Sequence, residues 1–106
     1  MEHVAVHPGE HLAERLQELG ISAAELGRRL KVPGNRISQI ACGQRAITGD
    51  TALRLGHFFG TDPKFWLNLQ ASYDLQVAEQ KFGVTVASLP KLSAREKHIN
   101  SRSETT

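Results

Sequence analysis

One cysteine in 106 residues, Cys42, leaves no internal disulfide to staple the fold. A lone thiol fits a reducing compartment, and the expected location is cytoplasmic. Long apolar runs are missing as well. No stretch approaches the roughly 18 consecutive apolar residues of a spanning helix, so no membrane partner is expected. The opening "MEHVAVHPGE" has no basic region followed by a long apolar segment, so it does not read as a secretory signal. Catalytic patterns are absent too. No glycine-rich phosphate loop occurs, and no nucleophile stands near a matching histidine and acid, so the chain does not read as an enzyme. His3, His7 and His11 are spaced by four, but Pro8 and Gly9 interrupt that run and no fitting Cys or carboxylate completes a ligand set. No metal and no cofactor are expected. Cys42 reads as a small packed hydrophobe rather than a sensor thiol.

What is present suffices for one domain with a compact core, at 40% apolar residues. The net charge of +2 is unevenly spread. Residues 21–54 hold six basic side chains against Glu25 and Asp50, whereas residues 1–20 hold Arg15 against four glutamates. A local basic patch is the electrostatic footprint of a nucleic-acid surface, although a solvated face has the same composition.

Apolar spacing and caps predict five helices and an all-α fold. Pro8 opens the first, Leu12, Leu16 and Leu19 line one face, and Gly20 ends it. Ser22 with Glu25 three residues on is a capping box for the second, which buries Leu26 and Leu30. Pro33 breaks the pattern and restarts the chain as a third helix, from about Gly34 to Cys42, ending at Gly43. Thr48 or Asp50 caps the fourth, whose Leu53, Leu55, Phe58 and Phe59 are strongly apolar, with Gly60 at its end. Thr61 or Asp62 caps the fifth, expected to run to about Lys81.

The fifth helix has two apolar stripes. Phe65, Trp66, Leu69 and Tyr73 form one; Leu67, Ala71, Leu75, Ala78 and Phe82 form the other. An edge helix needs one buried face. A wide stripe can simply pack deeper, but the reading favoured here is that the second stripe meets a twin copy in a two-fold homodimer. At the ends, "HVAVH" (3–7) and "VTVAS" (84–88) alternate and suggest a short terminal β-ribbon, or loops. The expected organisation is an N-terminal arm at 1–7, a folded domain at 8–83 and a largely flexible extension at 84–106, whose polar end lacks an apolar period.

The stretch "VPGNRISQIACGQRAIT" (32–48) carries the functional signal. Its helix has a thin apolar stripe, Ile37 and Ile40, amid hydrogen-bonding side chains. Only the tight turn "KVPG" separates it from the preceding helix. That is a helix-turn-helix arrangement, whose second helix lies in the DNA major groove. Asn and Gln can bond adenine bidentately and Arg can bond guanine, so Asn35, Arg36, Ser38 and Gln39 are the expected base contacts. Arg36 suits a phosphate equally well. Ser22, Arg28, Gln44, Arg45 and Thr48 suit phosphate contacts that set register.

Together "HPGEHLAERL" (7–16), "VPGNRISQIACGQRAITGDTALRLGHFFGT" (32–61) and "DPKFWLNLQASYDLQVAEQKFG" (62–83) resemble the HigA-type antitoxins, a branch of the phage-repressor-like (XRE) helix-turn-helix proteins. The resemblance covers about residues 7–83. It implies a dimeric, double-stranded operator-binding repressor of its own operon, and the antitoxin of a type II pair. The implied toxin is a RelE-like messenger-RNA endonuclease. The chain departs from the family pattern at Ala23, where Gln is common, at Gly34, where a larger side chain is frequent, and at Cys42, where Asn is common. Glu10, Glu14 and Glu18 form an acidic stripe that is either solvated or a steering surface for a basic toxin. The basic tail is the other candidate toxin contact. A solitary repressor without a toxin, and a protein-binding module with little DNA binding, are the alternative readings.

Overall fold

A computed structural model of the chain describes residues 5–93. Its five helices are α1 (Pro8–Leu19), α2 (Ala23–Leu30), α3 (Gly34–Ala41), α4 (Gly49–Phe59) and α5 (Pro63–Ala87). Each begins and ends where local chemistry directs. Pro8 opens α1, and the Gly9 N–H donates to Nδ1 of His7 at 2.8 Å. Gly20, in the left-handed region at φ 68°, closes α1 by donating to its last carbonyls. Ser22 Oγ accepts from the Glu25 N–H at 3.0 Å, but the other half of the expected box is replaced: the Glu25 carboxylate turns to Arg28 and Arg29. Thr48, not Asp50, caps α4, and Asp62, not Thr61, caps α5.

The core joins Leu12 and Leu16 of α1, Leu26 and Leu30 of α2, Ile37 and Ile40 of α3, Ile47, Ala52 and Leu55, and Trp66 of α5. Leu19 and Leu53 were expected among the packed apolar residues; both are exposed, Leu53 because it lies off the inward arc of α4, and Leu19 although it shares the face of Leu12 and Leu16, because it is the last residue of α1. Trp66 is wholly buried and places the first stripe of α5 on the bundle, with Leu69 and Tyr73 half-buried beside it.

Two close approaches set the angles. A Cβ built on Gly27 would lie 2.9 Å from the Gly34 Cα, so α2 and α3 meet backbone to backbone at the turn. A Cβ on Gly34 would lie 3.2 Å from the Ala24 Cα, which accounts for the small residue opening α3.

The terminal ribbon is corrected. Val84–Ala87 belongs to α5, and no strand occurs among the described residues. No proline intervenes before Pro90, and Leu75, Phe82 and Val86 continue one helical face, so the 3.6-residue period prevails over a four-residue alternation. Residues 3 and 4 of the other half, His3, and residues 94–106 of the extension with its basic tail lie outside the described residues. Among the described residues no helix is long and apolar enough to cross a membrane.

Candidate nucleic-acid interface

Helical geometry divides α3 into two faces. Ile37 and Ile40 are fully buried and hold it against the bundle. At 100° per residue, Asn35, Ser38 and Gln39 fall together on the opposite side. Asn35 is exposed, while Ser38 and Gln39 are half-buried. Ser38 turns its hydroxyl back to donate to the Asn35 carbonyl at 3.2 Å. Gln39 accepts at Oε1 from the Arg45 Nε–H at 2.9 Å, which draws the following turn onto the helix.

Arg36 is the expected base contact that the structure places elsewhere. It sits about 40° around the helix from Ile40, at the margin of the buried face. Its guanidinium donates to Asp50 at 3.0 Å, and the same carboxylate accepts from Arg54 at 3.0 Å. Arg54 also donates to the Leu30 carbonyl at the end of α2, at 2.6 Å. One carboxylate therefore ties α3 to α4, and Arg54 ties α4 to α2. The Arg54 hydrogen bond, seconded by Arg36, holds the Asp50 carboxyl below its ordinary value against the opposing effect of burial.

The expected phosphate contacts divide similarly. Arg28 projects at 70% exposure but shares Glu25 with Arg29, and those two hydrogen bonds, Arg29's the larger, hold the Glu25 carboxyl below its ordinary value. Gln44 and Arg45 are exposed in the turn after α3. Thr48 is engaged as the cap of α4, its Oγ1 3.5 Å from the Thr51 N–H, and Ser22 is engaged as the cap of α2. The turn carrying Gln44, Arg45 and Thr48 is fastened from behind by Gln70. This side chain is 6% exposed; its Oε1 accepts from the Ile47 N–H at 2.7 Å and its amide donates to Asp74 at 2.9 Å. The sequence reading missed Gln70, Asp50 and Arg54. The signal for Gln70 is a polar residue one turn beyond Trp66, on the stripe facing the bundle.

Cys42 is corrected: it is exposed at the end of α3, because it falls beside Asn35 and Gln39 and not behind them. His7 caps α1 and meets the Tyr73 ring edge-on, with centroids 4.8 Å apart, and His11 lies edge-on to Phe65. Glu10, Glu14 and Glu18 are exposed along one side of α1. On α5 the second stripe is also open: Leu67 is 37% exposed, Leu75 62% and Phe82 56%, with Ala71 and Ala78 between them.

Two packed helices with a nearly backbone-to-backbone turn, and a second helix presenting amides on a free face, define a helix-turn-helix DNA-binding protein. Comparison with known proteins agrees. The helix-turn-helix family model matches residues 12–66. Virulence-associated protein I of Dichelobacter nodosus is 51% identical over 80 residues, covering 74% of each chain. Among solved structures, a HigA-family addiction module antidote protein from Coxiella burnetii superposes with a TM-score of 0.83 at 47% identity, covering 86% of this chain and all of that one. The Pseudomonas aeruginosa antitoxin HigA, solved with the higBA promoter, gives 0.81 at 40% identity, covering 85% of this chain and all of that one. The chain belongs to the helix-turn-helix family, in its HigA-type antitoxin branch, a group of DNA-binding regulators and not of enzymes.

Proposed function

We propose that this protein binds operator DNA as a two-fold dimer, represses its own operon, and neutralises a small RNA-cleaving toxin of the RelE-like type. The observation that carries the DNA reading is the free face of α3. Asn35 and Gln39 stand one turn apart with Arg45 drawn in beside them, on a helix anchored behind by Ile37 and Ile40. Asn35 and Gln39 read base edges in the major groove, while Arg28 and Gln44 lie where backbone phosphates set register. The Pseudomonas relative, solved with its promoter, supports operator binding by this chain. Arg36 serves instead as the tie that fixes α3 against α4.

The exposed stripe Leu67, Ala71, Leu75, Ala78 and Phe82 supports the dimer: an apolar face of this length on an edge helix calls for cover, and a second copy of α5 supplies it. Two α3 helices then meet half-sites about 34 Å apart. The toxin reading rests on family membership and on the exposed Glu10, Glu14 and Glu18, which suit a basic partner that binds RNA.

The test is a fluorescence-anisotropy titration of the purified chain against the duplex upstream of its own gene, beside a scrambled duplex, at several salt concentrations. Selective binding that weakens steeply with salt is expected, because phosphate contacts release counterions. Equal, weak binding to both duplexes would refute the repressor reading. For the toxin, replacing all three glutamates with Gln should slow association with the protein encoded beside this gene; an unchanged on-rate at low salt would remove that contact.

A further inference from the structure

Residues 21–54 carry six cations, and most are committed to carboxylates. Arg28 and Arg29 share Glu25, and Arg36 and Arg54 share Asp50. Arg45 is the arginine of this segment with no carboxylate partner among the described residues, and it donates instead to the Gln39 amide. Arginine has no acceptor, so the amide oxygen of Gln39 must be the atom facing it. The bond therefore fixes the orientation of that side chain by chemistry. It uses the Arg45 Nε–H alone, and the two terminal amino groups of the fork remain to donate.

We infer that Arg45 converts Gln39 from an adenine reader into part of a guanine reader. A free glutamine takes adenine through two opposite bonds: its oxygen accepts from N6–H and its nitrogen donates to N7. With one Oε1 lone pair taken and that oxygen turned toward Arg45, what the pair offers the groove is mainly donors, the Gln39 Nε2 hydrogens and the Arg45 amino groups. Guanine is the base whose major-groove edge carries two acceptors, N7 and O6. Adenine would set its N6 hydrogens against those donors. This deepens the operator-binding reading and rests on it: it names the base that the Gln39 position selects and makes Arg45 the residue that sets the choice.

The test is a selection of the full chain against duplexes randomised across a candidate half-site, followed by competition titrations of single-base variants. The position read by Gln39 is the one whose preference flattens in Gln39→Ala. The wild type should prefer G over A there by about tenfold, within the range that a good bidentate contact gives. Arg45→Ala, an exposed change checked for unaltered helicity and unfolding midpoint, should reverse that preference toward A at that position alone. A guanine preference that survives Arg45→Ala, with affinity lowered for every duplex alike, would mean that Arg45 touches only phosphate and would overturn the inference. So would an adenine preference in the wild type, or no position that flattens in Gln39→Ala. A wild type that selects no sequence would refute the operator-binding reading itself, and is thereby distinct from these outcomes.

Discussion

Replacing Gln70 with leucine should loosen the DNA-facing turn from the back of the molecule. Gln70 and Ile47 are 6% and 3% exposed, and the Ile47 N–H has the Gln70 oxygen as its partner at 2.7 Å. Leucine fills a similar volume with no acceptor. A buried donor left unpaired costs about 1–3 kcal/mol. At about 2 kcal/mol, the midpoint of a domain of this size should fall by roughly 8–16 °C. The loss is local in origin, so amide exchange at Ile47 should quicken more than exchange in the α1–α3 core. Re-ordering one released residue on binding costs about 1–2 kcal/mol. DNA affinity should accordingly fall about five- to thirtyfold, with the salt slope unchanged because no phosphate contact is removed. Gln70→Glu is the companion variant. It keeps an acceptor for Ile47 while facing the Asp74 carboxylate, so Ile47 should stay protected even as the midpoint drops. Thermal unfolding with residue-resolved exchange reads both. A Gln70→Leu protein with the wild-type midpoint and wild-type Ile47 exchange would refute the reasoning.

Three further changes probe the frame around the site. Gly27→Ala pushes a methyl to 2.9 Å from the Gly34 Cα, so it should destabilise by about 1–3 kcal/mol and weaken DNA binding by opening the α2–α3 turn; calorimetry and anisotropy check this. The Asp50 carboxyl is held below the ordinary value of 3.8, first by Arg54, so its contribution is present above that pH and lost as pH falls through the lower folded value. The difference in unfolding midpoint between wild type and Asp50→Asn should therefore be constant near neutrality and disappear in strong acid. Leu75→Glu together with Phe82→Glu would place four charges across a two-fold α5 interface, and light scattering should read a dimer for the wild type and a monomer for this variant.

Local chemistry made most of the helix boundaries legible: Pro8 and Gly20 frame α1, Ser22 caps α2, and Gly60 closes α4. The thin stripe of Ile37 and Ile40 likewise announced which face of α3 is free. What the sequence concealed are contacts across long separations. The Gln70–Ile47 bond spans 23 positions and the Arg36–Asp50 pair spans 14, so no local window holds both partners. Arg36 read as a base contact because residue type was weighed before angle; it lies too near Ile40 on the helix circumference to share the face of Asn35. The small residues at the α2–α3 crossing escaped notice because Gly34 resembles a departure from the family pattern until its distance to Ala24 is known. The extension of α5 to Ala87 was hidden by "VTV", where β-branched residues mimic a strand within a longer helical face.

The central claim is that the free face of α3 reads DNA sequence. The most direct measurement is the ratio of the dissociation constant for a scrambled duplex to that for the upstream duplex, in the wild type and in Asn35→Ala, at several salt concentrations. Asn35→Ala should reduce this ratio by about tenfold, while binding to the scrambled duplex and the salt slope stay as they were. An unchanged ratio, with both affinities intact, would contradict it.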